Sequence, residues 1–216
     1  MYLFLDTADL AAWDYWLSKG LFYGVTTNPT LLERATIPCT LEQLKILTTK
    51  AFDQGVQEIH LQTWGTQVED LVCRGCEIAD IDSRVVVKVP ITLTGTEAAA
   101  QLIQQGIRVT LTGVYAVHQA LIAAALTADY AAPYLGRMTD LGQDGRQDII
   151  AMQQGLNGVN SDTKLLVASI RSIDDITTLT KANLDTFTVS PAIAEQMFQV
   201  EATNKAAEVF ENAAQG

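Results

Sequence analysis

The fold class is decided by residues 84–113, RVVVKVPITLTGTEAAAQLIQQGIRVTLTG. This stretch opens with a valine-rich run (84–89) and closes with a second β-rich run (108–112), and the two runs predict two strands. The pattern between them predicts a helix that begins after Thr94, since Glu97 follows in capping-box spacing, and that ends at Gly106. A strand–helix–strand unit of this kind is typical of parallel α/β proteins.

The same alternation continues outward to both ends of the 216-residue chain. A helical stretch follows each predicted strand, and Thr40 with Gln43 marks the start of one helix. The predicted strands are 2–6, 22–26, 58–62, 84–89, 108–112, 130–135, 164–169 and 186–190. Eight such units without a long linker favour a single (β/α)₈ TIM barrel over an open, doubly wound sheet.

Beyond the eighth unit, the sequence predicts an extra C-terminal helix. We expect the barrel domain over residues 1–200 and this helix over residues 201–216. Apolar residues recur along it at helical spacing, at Ala202, Ala206, Val209, Phe210 and Ala213. Such a helix is expected to pack on its own barrel or on a neighbouring subunit.

Composition argues against several classes of function. The chain is 48% hydrophobic and 18% charged, which is typical of a packed globular domain. Its formal net charge of −11 disfavours nucleic acid and anionic membranes as partners, although local arginines could still bind a small phosphate. The uncharged stretch 109–128 predicts a strand followed by a helix rather than a membrane span. No signal-peptide pattern opens the chain, so we expect a cytoplasmic protein.

The cysteines and the nucleotide-binding motifs give no indication of a metal or a cofactor. Cys73 and Cys76 form a C-x-x-C pair, but the pair falls inside a predicted helix (about 67–81) rather than at a helix start. A zinc site would need Cys39, His60 and His118, which stand at no recognised spacing. Neither a G-x-G-x-x-G nor a Walker A motif is present, which argues against dinucleotide and nucleoside triphosphate sites.

Lys88 is the strongest candidate for chemistry. It stands near the carboxyl end of a strand that is otherwise apolar, and this end of barrel strands is where active sites lie. Desolvation disfavours the ammonium form of a lysine, and a neutral amine can attack a ketone to form a Schiff base. The alternative is a structural lysine whose side chain extends past the strand end into solvent.

Polar residues also follow the other predicted strands, at corresponding positions. Because side chains alternate along a strand, those that share the inward face of a barrel would surround the amine of Lys88. Each residue taken singly is also typical of a loop or a helix cap, and Asn28 could simply form the Asn-Pro turn. The strand-end residues are Asp6, Thr26, Thr27, Asn28, Gln62, Thr112, Tyr134 and Ser169, with Arg171 just after the last.

Seven segments give the chain a resemblance to the small transaldolases and fructose-6-phosphate aldolases. They are LDTAD (5–9), GVTTNPTLL (24–32), VVVKVPIT (85–92), GIRVTLTGVYAVHQALIAA (106–124), APYLGRMTDLG (132–142), LLVASIRS (165–172) and TVSPAI (188–193). The resemblance implies a circularly permuted class I aldolase barrel that forms a Schiff base and needs no metal and no organic cofactor. It also implies a homo-oligomer, built from pentameric rings that can pair into a decamer.

The resemblance further implies a role for each candidate residue. Lys88 would attack the donor ketone, and Asp6 would handle the donor's hydroxyls and protons. Three residues would position a water that relays protons: Gln62, Thr112 and Tyr134. Thr26 and Asn28 would hold the donor portion of a small phosphosugar. The acceptor phosphate would be bound by Arg137, Ser169 and Arg171, since guanidinium groups match phosphate bidentately.

Two of these residues bear on which family activity the chain carries. Fructose-6-phosphate aldolases tend to have glutamine and tyrosine at the positions of Gln62 and Tyr134, whereas transaldolases tend to have glutamate and phenylalanine. The chain therefore resembles the aldolases here, with transfer of dihydroxyacetone between fructose 6-phosphate and erythrose 4-phosphate as the alternative. His60 departs from the family, and we interpret it as a hydrogen-bonded interior histidine or as a residue that tunes water position or donor choice.

Two other classes of function remain open on the sequence. One is a sugar-phosphate isomerase or epimerase barrel in which Asp6 is the base and Lys88 an electrostatic group. The other is a barrel that binds ligands without catalysis.

Overall fold

A computed structural model describes residues 1–215 as alternating strands and helices. Every pairing between neighbouring strands is parallel. The strands are β1 (Tyr2–Asp6), β2 (Gly24–Thr26), β3 (Glu58–Gln62), β4 (Val85–Pro90), β5 (Val109–Val114), β6 (Tyr130–Pro133), β7 (Lys164–Leu165) and β8 (Thr186–Val189).

The sheet closes on itself, which confirms the predicted (β/α)₈ barrel. The strands follow each other in chain order from β1 to β7, and β8 pairs with β1. The remaining gap, between β7 and β8, is bridged through Val167, whose N–H donates to Thr186 O at 3.0 Å and whose carbonyl accepts from Thr188 N–H at 2.9 Å. An edge without pairing would expose unsatisfied backbone groups, and closure removes that edge.

The seventh strand is shorter than the predicted 164–169. After Leu165 the chain stays extended, and Ala168 N–H still donates to Pro133 O at 2.9 Å, but Ser169 adopts a left-handed backbone with φ of 59°. The Ser169 carbonyl then accepts a hydrogen bond from Gly136 N–H at 2.8 Å. The strand ends early because the chain turns there toward the segment after β6.

Helices follow the strands and cover the barrel. They are α1 (Leu10–Trp16), α2 (Pro29–Arg34), α3 (Leu41–Asp53), α4 (Val68–Ala79), α5 (Leu93–Gln104), α6 (Val117–Ala125), α7 (Leu135–Asp140), α8 (Gly145–Gly158), α9 (Ile173–Thr180), α10 (Pro191–Gln196) and α11 (Glu201–Gln215), with a 3₁₀ turn at Leu17–Lys19. Outward-facing strand residues such as Leu5, Ile59 and Val87 pack with them in one large core. Inward-facing residues such as Phe4 and Val86 form a second, smaller cluster inside the barrel.

The predicted helix starts are confirmed in one case and wrong in another. Thr40 caps α3, because its hydroxyl accepts from Gln43 N–H at 3.3 Å. The cap of α5 is Thr92 rather than Thr94, since Thr92 Oγ1 accepts from Gly95 N–H at 3.0 Å. Both threonines suit an N-cap, and only Thr94 has a glutamate in capping-box spacing, but the end of β4 at Pro90 places the helix start at Thr92.

Three further sequence expectations concern segments outside the barrel wall. Cys73 and Cys76 lie within α4, as the pattern predicted, and neither is in a disulfide. Residues 109–128 form β5 and α6, and across residues 1–215 no helix is long and apolar enough to cross a membrane. α11 begins at Glu201 and buries none of its side chains in this chain, while residue 216 lies outside the described part. Packing of α11 on a neighbouring subunit stays a prediction.

Candidate active site

A cavity of about 340 Å³ opens where the strands end at their carboxyl termini. Seven of the ten predicted site residues line it: Asp6, Asn28, Lys88, Tyr134, Arg137, Ser169 and Arg171. The other three lie against these residues or on neighbouring strands. The structure therefore brings together side chains that are up to 165 positions apart in the sequence (171 − 6).

A larger cavity, of about 880 Å³, opens at the opposite, amino-terminal end of the barrel. Three of its charged groups bind each other, because Arg108 lies 2.7 Å from Glu58 and 2.9 Å from Asp129. In barrel enzymes chemistry occurs at the carboxyl ends of the strands, and the amino-terminal face serves stability. We therefore place the candidate active site in the smaller cavity.

Lys88 is buried at the floor of this cavity, with only 4% of its surface exposed. Its Nζ donates to the backbone oxygen of Thr27 at 2.9 Å, and within residues 1–215 the amine makes no ion pair. The alternative of a lysine that extends into solvent is therefore wrong. The amine is thus held inside the barrel by a single hydrogen bond to the backbone.

Two threonine hydroxyls fix the carboxylate of Asp6. Thr26 Oγ1 donates to Asp6 Oδ1 at 2.7 Å, and Thr188 Oγ1 lies 2.6 Å from Thr26 Oγ1. Because Thr26 gives its proton to Asp6, Thr188 must donate to Thr26. Thr26 thus orients the carboxylate, which remains half-buried at the cavity wall.

A pair of hydroxyl groups lies on the other side of the barrel mouth. Tyr134 Oη and Thr112 Oγ1 are 2.8 Å apart, and only one of the two can donate to the other, which leaves one proton for a further partner. Tyr134 does not end a strand as predicted; it precedes α7 as its N-cap residue. Gln62 stands opposite Lys88 in the register between β3 and β4.

Two arginines supply positive charge to the cavity in this acidic chain. Arg137 lies over the Tyr134 ring, and its hydrogen bond to Tyr115 Oη at 3.5 Å raises the pKa of the guanidinium. Arg171 binds Asp140 at 2.6 Å on an exposed surface, where such a pair can be exchanged for a ligand at little cost. Ser169 lines the same cavity and carries the left-handed backbone described above.

Asn28 serves two purposes at once. It caps α2, because its Oδ1 accepts from Leu31 N–H at 3.0 Å. The role of the residue in the Asn-Pro turn, which the sequence left as an alternative, is therefore observed. The cap uses only the amide oxygen, so the two N–H groups of the side chain remain able to donate into the cavity.

Arg34 also lines the cavity, and the sequence analysis missed it. It lies in the last turn of α2, and it makes no ion pair among the residues that the structure describes. A basic residue five positions after the GVTTNP motif, in a chain of net charge −11, was the available signal. The cavity thus presents three guanidinium groups, from Arg34, Arg137 and Arg171.

His60 lies one layer deeper inside the barrel and is fully buried. Its ring nitrogens contact Thr110 and Glu58, at 2.9 and 3.2 Å, so it is a hydrogen-bonded interior histidine, one of the two interpretations given above. Trp64, which follows the same strand, is partly buried and lies beside Arg74. In residues 1–215 no group of three or more histidine, cysteine or acidic side chains is placed to hold a metal ion.

Known proteins provide an independent comparison. A family profile described as Transaldolase/Fructose-6-phosphate aldolase matches residues 3–215. A probable transaldolase of Phenylobacterium zucineum (strain HLK1) is 32% identical over 212 residues, which cover 97% of this chain and 94% of the relative. A probable transaldolase of Nitrosopumilus maritimus (strain SCM1) is 34% identical over 204 residues, covering 92% and 88%. A third, from Kosmotoga olearia, is 32% identical over 215 residues, covering 98% and 95%. Across nearly its whole length, this chain therefore belongs to the transaldolase/fructose-6-phosphate aldolase family.

Proposed function

We propose that the protein is a Schiff-base aldolase that cleaves or forms fructose 6-phosphate, with dihydroxyacetone and glyceraldehyde 3-phosphate as the other partners. The observation that carries the proposal is the buried amine of Lys88, which makes no ion pair within residues 1–215, in a cavity that is also lined by a carboxylate, a phenol and three guanidinium groups. Family membership supports an aldolase or a transferase, and the cavity supports a phosphorylated sugar as the substrate.

Lys88 carries the covalent steps of the proposed reaction. The neutral amine of Lys88 attacks C2 of the ketose, and loss of water gives an iminium ion. The C4 hydroxyl then loses its proton, the C3–C4 bond breaks, and its electron pair moves into the iminium to give an enamine. Glyceraldehyde 3-phosphate leaves as the aldehyde. Protonation of the enamine at C3 and hydrolysis release dihydroxyacetone and restore the amine.

The proton transfers are assigned to Asp6 and to a water held by Gln62, Thr112 and Tyr134. A positioned acid or base contributes about 10²–10⁴-fold in rate. Tyr134 and Thr112 together retain one free hydroxyl proton, which can orient such a water. Thr26 keeps Asp6 in place, and the free amide N–H groups of Asn28 can bind the donor's hydroxyls.

The phosphate of the sugar is assigned to Arg137, Ser169 and Arg171. Guanidinium groups bind phosphate through paired hydrogen bonds, and this cluster is the local exception to a chain of net charge −11. Arg34, which faces the same cavity, adds a third positive charge to the site.

A transferase is the second candidate, because the relatives named above carry the name probable transaldolase. In that case the enamine would attack the aldehyde carbon of erythrose 4-phosphate instead of taking a proton. Gln62 and Tyr134 favour the lyase, since polar groups at these positions can bind the water that leads to free dihydroxyacetone. We also propose that the enzyme works in the cytoplasm as a homo-oligomer.

Two experiments test the proposal. Borohydride with dihydroxyacetone should reduce the iminium and leave a stable adduct on Lys88, detected by intact mass and peptide mapping. Lys88→Ala should abolish the adduct. Lys164→Ala, which removes an exposed lysine at the opposite end of the barrel, should leave it unchanged. An unmodified wild-type protein would instead support an isomerase or epimerase.

The second experiment separates lyase from transferase. Fructose 6-phosphate is incubated alone, and glyceraldehyde 3-phosphate is measured with a coupled dehydrogenase. Release without an added aldehyde is the expected result. Release that begins only when erythrose 4-phosphate is added would assign the protein as a transferase.

A further inference from the structure

A chain of buried polar groups crosses the barrel one layer beneath Lys88, and the proposed reaction does not use it. His60 Nε2 lies 3.2 Å from Glu58 Oε2, and His60 Nδ1 lies 2.9 Å from Thr110 Oγ1. All three residues are buried, and His60 and Thr110 have no exposed surface. Groups this deep in a barrel are normally apolar, because burying polar atoms costs free energy unless all of them are paired.

The direction of each hydrogen bond in this chain follows from the charges. Burial lowers the pKa of His60 to about 4, so its imidazole is neutral near pH 7. Burial alone would raise the pKa of Glu58, but hydrogen bonds from His60 and Arg108 outweigh it and hold the pKa at about 2. A carboxylate only accepts, so Nε2 of His60 carries the proton and Nδ1 accepts from the Thr110 hydroxyl.

Further donors hold Glu58, the last residue in this series of hydrogen bonds, in place. Arg108 Nη2 lies 2.7 Å from Glu58 Oε1, and Tyr130 Oη donates to Glu58 Oε2 at 2.9 Å. Glu58 therefore keeps two strong partners besides His60. The hydrogen bonds run from the carboxylate of Glu58 through His60 to Thr110. His60, held by Glu58, therefore sets the orientation of the Thr110 hydroxyl.

His60 and Thr110 lie on the same strands as two of the residues assigned to catalysis. His60 precedes Gln62 by two residues on β3, and Thr110 precedes Thr112 by two residues on β5. Because residues two apart share a face of a strand, His60 faces inward below Gln62, and Thr110 faces inward below Thr112. β4 lies between the two strands, and Lys88 on it is paired in register with Gln62 on one side and Thr110 on the other.

We propose that the His60–Thr110 hydrogen bond is a positioning bridge that sets the spacing of Gln62 and Thr112 around Lys88. The inference rests on the proposed aldolase function, since these two residues are assigned to the relay water. A hydrogen bond fixes both distance and angle, whereas an apolar contact between the same strands would tolerate sliding. A packed apolar pair would stabilise the barrel at least as well as this histidine–threonine pair. The fixed geometry of the hydrogen bond, rather than stability, therefore explains the pair.

The matched variants Thr110→Val and Thr110→Ser test the bridge. Valine has nearly the shape of threonine but cannot donate to His60, whereas serine keeps the hydroxyl. In Thr110→Val we expect kcat for fructose 6-phosphate cleavage to fall by about tenfold or more, as misplaced catalytic groups do, with KM within about threefold. Borohydride capture of dihydroxyacetone should persist, since Lys88 remains in place. Thr110→Ser should restore most of the turnover.

A direct readout of the relay is the exchange of the carbon-bound protons of dihydroxyacetone with D₂O, followed by NMR. This exchange needs the iminium and the relay but no phosphate and no second substrate. It should slow in Thr110→Val in parallel with kcat and recover in Thr110→Ser. If Thr110→Val does not fold, the double variant His60→Phe/Thr110→Val is used instead, because it replaces both polar groups with apolar ones that pack together. It should show the same fall in kcat and in proton exchange.

Two results would overturn the bridge while leaving the aldolase proposal intact. One is an equal kcat in the valine and serine variants, with capture retained in both. The other is a loss of kcat, KM and capture together that follows the melting temperature, as a purely structural role predicts. A wild-type protein that gives no borohydride adduct would overturn the aldolase proposal itself, together with the bridge that depends on it.

Discussion

At the level of single residues, the phenol of Tyr134 offers the sharpest test of the lyase assignment. Its oxygen lies 2.8 Å from Thr112 Oγ1, and the two hydroxyls are proposed to hold one water. Tyr134→Phe should lower acceptor-free cleavage of fructose 6-phosphate by at least tenfold, because the water loses a partner. Transfer to erythrose 4-phosphate replaces protonation of the enamine by attack on the aldehyde, and only the final hydrolysis of the product iminium still needs water, so transfer should fall less. Steady-state rates with and without the acceptor measure both.

Thr112→Val provides the matched comparison for Tyr134→Phe. If both hydroxyls act on the same water, each single variant should cost about as much as the double variant, since removing either partner releases the water. Costs that simply add would show that the two hydroxyls act separately and would contradict a shared water.

The buried imidazole of His60 makes the stability of the protein depend on pH. Burial lowers the pKa of His60 from 6.5 to about 4. Between pH 6.5 and pH 4, His60 therefore binds a proton in the unfolded chain but not in the folded chain. The stabilisation is therefore complete above pH 6.5 and is lost as the pH falls toward 4, by about 3 kcal/mol in total. Urea denaturation at pH 7 and pH 5 should show about 2 kcal/mol of this loss.

A His60→Gln variant is the control for this measurement. Glutamine cannot titrate but keeps an amide that can donate to Glu58. Its stability should change much less between pH 7 and pH 5, and the other histidine, His118, is present in both proteins. Equal losses would contradict a neutral, buried imidazole at His60.

At the level of helices and strands, the sequence predicts best what depends on neighbouring residues. The bounds of β1 and β3 agree with the predicted 2–6 and 58–62, because each is a short β-rich run between clear turn signals. Helix α3 begins where its capping threonine predicts. Strand β7 and the start of α5 were misplaced, since a turn toward Gly136 and the end of β4, both tertiary features, decide them.

The same distinction applies to the site. Residues at strand ends, such as Asp6 and Lys88, could be predicted, because a parallel barrel brings all carboxyl ends to one face. Arg34 and the His60–Thr110 bond could not, because they depend on the direction of α2 and on the register of β3, β4 and β5. Spacing in the sequence carries no information on a contact between residues 50 positions apart.

The contact between α7 and the segment after β7 predicts an effect on phosphate binding. Gly136 in α7 donates its N–H to Ser169 O, and a Cβ there would lie 2.4 Å from that oxygen and 2.5 Å from Arg171 Nε. Gly136→Ala should therefore displace Ser169 and Arg171 and raise KM for fructose 6-phosphate about fivefold or more, because hydrogen bonds to a charged group contribute about 1.5–3 kcal/mol each. Steady-state kinetics measure the change.

Two comparisons make the Gly136 result specific. Borohydride capture of dihydroxyacetone, which has no phosphate, should be nearly unaffected in Gly136→Ala. Gly158→Ala should change neither quantity, since a Cβ at that helical position meets no other atom within 4 Å. A parallel loss of capture and phosphate affinity in Gly136→Ala would point to general disruption of the barrel instead.

At the level of the whole molecule, charge is distributed unevenly. The chain has 25 acidic and 14 basic residues, yet three of its arginines face one cavity of about 340 Å³. The net charge of −11 repels a sugar phosphate, and at 0.1 M ionic strength salt screens that repulsion beyond about 10 Å. Affinity for the substrate must therefore arise locally, from the guanidinium groups and the backbone around them.

The C-terminal helix α11 leaves an apolar surface uncovered. Val209 and Phe210 are 63% and 70% exposed, and the helix buries no side chain in its own chain. Burying a valine or phenylalanine side chain fully contributes about 1.5–3 kcal/mol, so a neighbouring subunit that covers both gains a substantial part of an interface. We therefore predict that removal of residues 201–216 lowers the mass of the particle in solution, measured by light scattering.

A finer version of this experiment keeps the helix and changes only its apolar side. Val209→Ser/Phe210→Ser should shift the assembly toward smaller species at micromolar concentration, because each interface loses its two largest apolar contacts. Glu208→Ser/Glu211→Ser changes the same helix at exposed acidic positions and should leave the mass as it is. If the truncated chain and both double variants keep the wild-type mass, α11 is not the contact between subunits, and any assembly must form through another face of the barrel.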